Sequence, residues 1–219
     1  MIVPVVSDFD GDGHPDLIVG DEDGRVAWVR HTGKVKKGMP QFESPLYFTQ
    51  QADLVKFGAL STPCAYDWDG DGKQDIVAGN SAGEIAFIRN LSGGDNPVWD
   101  APQLFTVNGK PIRIQAGENG SIQGPAERKW GYTVLSVADW DGDGRLDLIV
   151  DSQNACWFRN VREENGEVWY EYMGNISERV LAGHTTCPTP IDWRGDGTPE
   201  LLLGAEDGHF YRMANRQAR

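Results

Sequence analysis

The chain is poor in the features that mark a membrane span, a disulfide framework or a familiar catalytic site. None of its apolar runs reaches 18 residues, so the sequence holds no membrane-spanning helix. Cys64, Cys156 and Cys187 are its only cysteines. An odd trio without paired spacing builds neither a disulfide framework nor a zinc site, and buried free thiols are the expectation. There is no nucleophile elbow, no phosphate-cradling glycine loop and no zinc-protease motif. Basic residues are outnumbered: 20 Lys and Arg face 33 Asp and Glu, for a net charge of −13. That balance argues against nucleic acid as a partner. The first 30 residues show no signal peptide and run directly into repeated sequence, as expected of a processed, truncated or excerpted chain.

What is abundant is aspartate and glycine, in one repeated pattern. A nine-residue acidic loop occurs four times, at Asp8 (DFDGDGHPDLIVG), Asp67 (DWDGDGKQDIVAG), Asp139 (DWDGDGRLDLIVD) and Asp192 (DWRGDGTPELLLG). In the first three copies aspartates stand at positions 1, 3, 5 and 9. The sets are Asp8, Asp10, Asp12 and Asp16; Asp67, Asp69, Asp71 and Asp75; and Asp139, Asp141, Asp143 and Asp147. Carboxylates are hard oxygen donors, and Ca²⁺ takes six to eight oxygens at about 2.3–2.6 Å. Position 6 is always glycine, where the chain turns around the ion. Position 7 varies (His14, Lys73, Arg145, Thr198), as expected where only a backbone carbonyl is used. About three Ca²⁺ sites are therefore expected, against the alternative of solvated Asp-Gly turns. The fourth copy departs from the pattern. Arg194 replaces the position 3 aspartate and Glu200 the position 9 aspartate, so Asp192, Asp196 and Glu200 either bind metal or are neutralised internally by the guanidinium. The second is favoured. An EF-hand is excluded, because position 12 is Val19, Ala78, Val150 or Leu203 instead of glutamate, inside short apolar runs that read as strands.

Each loop sits in a longer unit. An apolar strand precedes it and another follows. A turn (DEDG, NSAG, DSQN, AEDG) leads to a third strand ending at Arg30, Arg89, Arg159 or Arg212. Outer segments follow in three units, near FESPLYF, VWDAPQLF and VWYEYM. Four short antiparallel strands per repeat make a propeller blade. Position 2 aromatics (Phe9, Trp68, Trp140, Trp193) and third-strand aromatics (Trp28, Phe87, Trp157, Phe210) recur at equivalent places, which favours packing between blades over glycan binding. The fold class is all-β: a β-propeller segment of four blades near 2–50, 58–108, 132–178 and 187–212. With no outer strand after the fourth unit, an open arc of a seven- or eight-bladed ring is expected.

On DxDxDGxxD followed by LIVG and a GxVxWxR-like strand, the chain resembles FG-GAP or VCBS repeat proteins, including integrin α-subunit heads. The resemblance covers nearly all of it except about 110–131. It implies propellers with calcium in several blades, and secreted, periplasmic or cell-surface location. It also implies a binding module for a glycan or, through adhesion, a protein. The alternative is part of a secreted polysaccharide-degrading enzyme, a uronate lyase. Neither reading fixes an oligomeric state.

The place where ligand specificity is expected is the long inter-blade loop 107–133, opened by the hairpin signal Asn108-Gly109. Arg113, Asn119, Gln123, Arg128, Lys129, Trp130 and Tyr132 there combine cation, amide and aromatic plate, as an acidic sugar would need. The alternative is a glycine-rich surface loop. For a lyase, Tyr132, Lys129, Arg128 and His184 are residues of the right types, though no motif gathers them. Lys34, Lys36 and Lys37 read as a solvated basic loop. Asn-x-Ser sequons begin at Asn90, Asn119 and Asn175.

Overall fold

The computed structural model describes residues 3–50, 55–114, 133–151, 154–164, 167–181, 186–205 and 207–217. Every regular element among them is a strand. Residues 1–80 with 85–104 form one compact unit, and 81–84 with 105–219 another.

The first unit holds two blades. Val3–Ser7, Asp16–Gly20, Val26–Val29 and Leu46–Tyr47 lie in that order in one antiparallel sheet. Thr62–Tyr66, Asp75–Gly79, Ile85–Ile88 and Gln103–Leu104 form the second. The acidic loop joins the first two strands of each blade, and Ser7 pairs with Asp16 and Tyr66 with Asp75 at its mouth. Asp75–Gly79 and Ile85–Ile88 are buried along their whole length. This explains continuous apolar runs where a half-exposed strand would alternate. Phe9, Trp28, Phe48 and Trp99 cluster with ring centroids 4.8–6.4 Å apart, joining the two blades. Close backbone approach also requires small residues. Gly24, in the turn before the third strand, has φ +79°, and a Cβ there would lie 1.9 Å from the Gly58 carbonyl oxygen. The Gly24 carbonyl itself accepts from the Phe57 N–H at 2.9 Å, tying the turn to the connection into the next blade.

The second unit repeats the plan. Leu135–Ala138, Asp147–Asp151, Ala155–Glu164 and Glu167–Asn175 make a four-stranded sheet, and Cys187–Ile191, Glu200–Gly204 and Phe210–Met213 a three-stranded one. Trp140, Ile149, Trp157, Leu201 and Leu203 form the core between them. Gly83 repeats the role of Gly24, with φ +76°, the Ile114 carbonyl oxygen 2.2 Å from an added Cβ, and the Ile114 N–H donating to Gly83. Asn108 and Gly109, at φ 52° and 74°, turn the expected hairpin between Thr106–Val107 and Lys110–Pro111.

Three expectations change. The lysine cluster lies in a hairpin, His31–Lys36 with Met39–Phe42, turned at Lys37 and Gly38 with positive φ; its lysines are exposed as expected. Only Cys156 is fully buried, which pushes its thiol up to about 12; Cys64 is partly buried and strand alternation turns Cys187 to solvent. The aromatic packing holds for Phe9, Trp28, Phe87, Trp140 and Trp157, but Trp193 and Phe210 in the fourth blade are 53% and 77% exposed.

Candidate metal centres

The acidic loops are shaped by their own backbone. Glycines at positions 4 and 6 take left-handed φ in all four copies: 73° and 85°, 71° and 83°, 77° and 87°, 67° and 83°. Only the second of each pair stands out when the loop is read as a cation loop; the first is visible as an unbroken Gly column. The position 1 carboxylate accepts from the position 6 N–H in each: Asp8 from Gly13 (3.1 Å), Asp67 from Gly72 (3.0 Å), Asp139 from Gly144 (2.9 Å), Asp192 from Gly197 (2.9 Å). The position 5 carboxylate accepts from the position 7 N–H in each.

Position 9 acts as a buckle. Asp16, Asp75 and Asp147 have no exposed surface. Each accepts the N–H of position 2 on one oxygen and that of the residue following the arginine expected to end the third strand on the other. The distances are 3.3 and 2.7 Å from Phe9 and His31, 3.0 and 2.8 Å from Trp68 and Asn90, and 3.0 and 2.7 Å from Trp140 and Asn160. Burial pushes the Asp75 and Asp147 carboxyls up to about 6, against the downward pull of these bonds. Asn90 is itself buried. Its Oδ1 accepts from Ser92 and Gly93 and its Nδ2 donates to the Gln74 carbonyl, so the amide of this sequon is engaged within the fold while Leu91 and Ser92 are exposed.

The remaining carboxylates converge. Asp8, Asp10 and Asp12 each bring one oxygen within 4.8 Å of the others, as do Asp67, Asp69 and Asp71, and Asp139, Asp141 and Asp147. Two ligands about 2.4 Å from one Ca²⁺ lie at most about 4.8 Å apart, so each trio can share an ion. The donors are all oxygen, which suits a hard cation over a thiolate- or imidazole-seeking one. Asp67 adds a direct sign of fit: its Oδ1 is buried and has no hydrogen-bond donor. An anionic oxygen in that state is costly, and a cation could serve as its partner.

The arginines expected to end each third strand enter the same loops, although the third strand runs on past Arg159 to Glu164 and past Arg212 to Met213 in the last two blades. Arg30 pairs with Asp10 at 2.7 Å, Arg89 with Asp69 at 2.6 Å, and Arg159 with Asp141 at 2.7 Å and Asp143 at 3.1 Å. At position 7 the side chains of Lys73 and Arg145 pair with Asp71 and Asp143. The Lys73 bond holds the Asp71 carboxyl below its ordinary value.

An FG-GAP-like repeat profile matches residues 67–150, which contain the second and third loops. Integrin alpha-5 of Xenopus laevis is 31% identical over 157 residues, covering 66% of this chain and 14% of the integrin. Residues 67–150 of this chain are thus similar to FG-GAP repeats. A solved lectin of Agrocybe aegerita, described as recognising non-reducing terminal N-acetylglucosamine, matches with a TM-score of 0.50 at 18% identity. That match covers 99% of this chain and 50% of the lectin and supports the β-propeller fold. The chain thus spans half of one relative and a small part of the other.

The fourth acidic loop is neutralised from within. Arg194 Nε lies 3.2 Å from Asp196 Oδ2 and 3.3 Å from Glu200 Oε1, while Arg212, lacking an aspartate at position 3, pairs with Glu200 instead. The bond from Arg212 holds the Glu200 carboxyl below its ordinary value. Trp193 N–H donates to the Ile191 carbonyl at 3.0 Å, so the buckle of the other loops is replaced.

Of the residues expected to bind ligand, Arg113 is described: it pairs with Glu84 at 2.5 Å and donates to the Ala82 carbonyl at 3.4 Å, bracing the turn at Gly83. Asn119, Gln123, Arg128, Lys129, Trp130 and Tyr132, and with them His184, lie outside the described residues. A polar pocket of about 240 Å³ opens beside the first acidic loop, with Asp12, His14, Arg30, Thr32 and Glu43 in its walls. The loop residues and Arg30 carry a sequence signal; Thr32 and Glu43 arrive through the hairpin after the third strand.

Proposed function

We propose that this chain is a calcium-stabilised FG-GAP propeller module that binds a glycan or a protein ligand outside the cell. The observation that carries calcium is the convergence of three carboxylate trios to within the span of one ion, with Asp67 Oδ1 buried and without a donor. Asp8, Asp10 and Asp12, Asp67, Asp69 and Asp71, and Asp139, Asp141, Asp143 and Asp147 would hold it, with Asp16 and Asp75 beneath, and the backbone carbonyls of His14, Lys73 and Arg145 completing the sets. The ion supplies charge neutralisation and a cross-link between strands. Extracellular sites of this class often bind near 10⁻⁴–10⁻³ M. At millimolar Ca²⁺ a site at the tight end contributes about 1.5 kcal/mol. Calcium should therefore raise the melting temperature. Asp10→Ala or Asp69→Ala should lower it chiefly when calcium is present, since the half-exposed arginine pairs alone are worth at most about 1 kcal/mol. A melt indifferent to chelator overturns this reading.

The lectin likeness supports a glycan, and the pocket beside the first loop offers acceptors (Asp12, Glu43) and donors (His14, Arg30) to a hydroxyl-rich ligand. The 107–133 loop is the second proposed location. On a glycan array, Glu43→Ala should remove binding if the pocket receives the sugar. Arg128→Ala with Trp130→Ala should remove it if the long loop does. A wild-type chain that binds no glycan but adheres to an extracellular protein moves the reading to adhesion.

A further inference from the structure

Each acidic loop carries cations of its own, and their number differs from loop to loop. In the first, Arg30 alone among the described residues reaches the cluster, on Asp10 at 2.7 Å. His14, at position 7, stacks on His31 at 5.2 Å instead of turning to Asp12. In the second, Arg89 holds Asp69 at 2.6 Å and stands 3.8 Å from Asp71, and Lys73 pairs with Asp71 as well. In the third, Arg159 spans Asp141 and Asp143, and Arg145 adds a second contact to Asp143. In the fourth, Arg194 stands inside the loop between Asp196 and Glu200.

We infer that these side chains are tethered competitors of the bound ion, and that their number grades calcium affinity from loop to loop. The inference rests on the calcium reading above. Two physical effects act in the same direction. A carboxylate oxygen already shared with a guanidinium or ammonium gives less of its lone-pair density to a second cation. A fixed positive charge a few ångströms from a divalent ion also repels it, and partial burial weakens the screening. The first loop then binds calcium most tightly. The second and third bind more weakly, and the fourth keeps its guanidinium in place of the ion. The same cations offset repulsion among the carboxylates, so the loops hold their shape when calcium is withdrawn.

The test isolates one loop at a time by calorimetric calcium titration of the full chain. With the first and third loops disabled by Asp10→Ala and Asp141→Ala, Lys73→Gln should tighten binding at the second about fivefold, the fold-change that corresponds to about 1 kcal/mol for a partly exposed ion pair. Lys73→Arg, which keeps the charge, should not reproduce that gain. With the second and third loops disabled by Asp69→Ala and Asp141→Ala, His14→Lys should weaken the first by a similar factor. Superimposable circular-dichroism spectra in chelator, below the melting transition, certify that the variants fold alike. Binding that is unchanged or weaker in Lys73→Gln overturns this inference alone. A wild-type chain that takes up no calcium overturns the calcium reading and this inference with it.

Discussion

At the scale of single residues, the position 9 aspartates carry two jobs that a metal-loop pattern does not separate. Each stands at a proposed ligand position and satisfies two backbone N–H groups at 2.7–3.3 Å, and Asp147 also joins the carboxylate trio of its loop. Removing Asp75 leaves the Trp68 and Asn90 donors without acceptors, at about 1–3 kcal/mol each. Asp75→Ala should therefore lower stability in urea titrations with chelator present as well as with calcium. A loss confined to calcium-containing buffer would show that the aspartate serves the ion alone. Glu200 gives the pH counterpart. Its carboxyl is held below its ordinary value first by the hydrogen bond from Arg212. A folded-state value below the unfolded one contributes stability above the ordinary glutamate range of about 4.5 and loses it as pH falls through that range. The difference in melting temperature between wild type and Glu200→Gln should shrink between about pH 5 and pH 3. A constant difference would mean that the charge of Glu200 does not enter stability.

At the scale of elements, the blade plan was readable because its causes are local. Apolar runs such as DIVAG and IAFI sit in strands buried on both faces, and Asn108-Gly109 turned its hairpin as that pair does. The arginine at the equivalent place in each unit is visible as a column of identical residues, but its partner is not. The pairing of Arg89 with Asp69 bridges 20 positions and exists only once the second and third strands are aligned. The hairpin at His31–Phe42 is not legible in the sequence because Lys34, Lys36 and Lys37 carry no apolar alternation. The turn glycines have a cause equally distant in sequence, the Gly58 and Ile114 carbonyls of the connections that follow. Gly83→Ala meets both a left-handed φ of 76° and a carbonyl oxygen 2.2 Å from the new carbon. It should cost about 1–3 kcal/mol for the backbone conformation alone, with the clash in addition, read as a lowered melting temperature in calcium and in chelator alike. An unchanged melt would mean that the turn can move away from Ile114 at no cost.

At the scale of the whole molecule, charge and fold are linked. Fifteen of the 33 acidic residues lie in the four loops, and three divalent ions would take the net charge from −13 to −7. The acidity that argues against nucleic acid is thus largely accounted for by these loops. The exposed ring of the fourth blade has a spectroscopic consequence. Trp99 and Trp140 have no accessible surface, whereas Trp193 is 53% exposed, with the Arg212 guanidinium 5.4 Å from its ring centre. Indole emission shifts to longer wavelength in water and is quenched by collision with neutral acrylamide. Trp193 should supply a long-wavelength, quencher-accessible part of the fluorescence, while the buried indoles supply a blue, protected part. Comparing wild type with Trp193→Phe isolates that signal, and its shielding then reports, in real time and without a label, when another surface comes to rest on this blade.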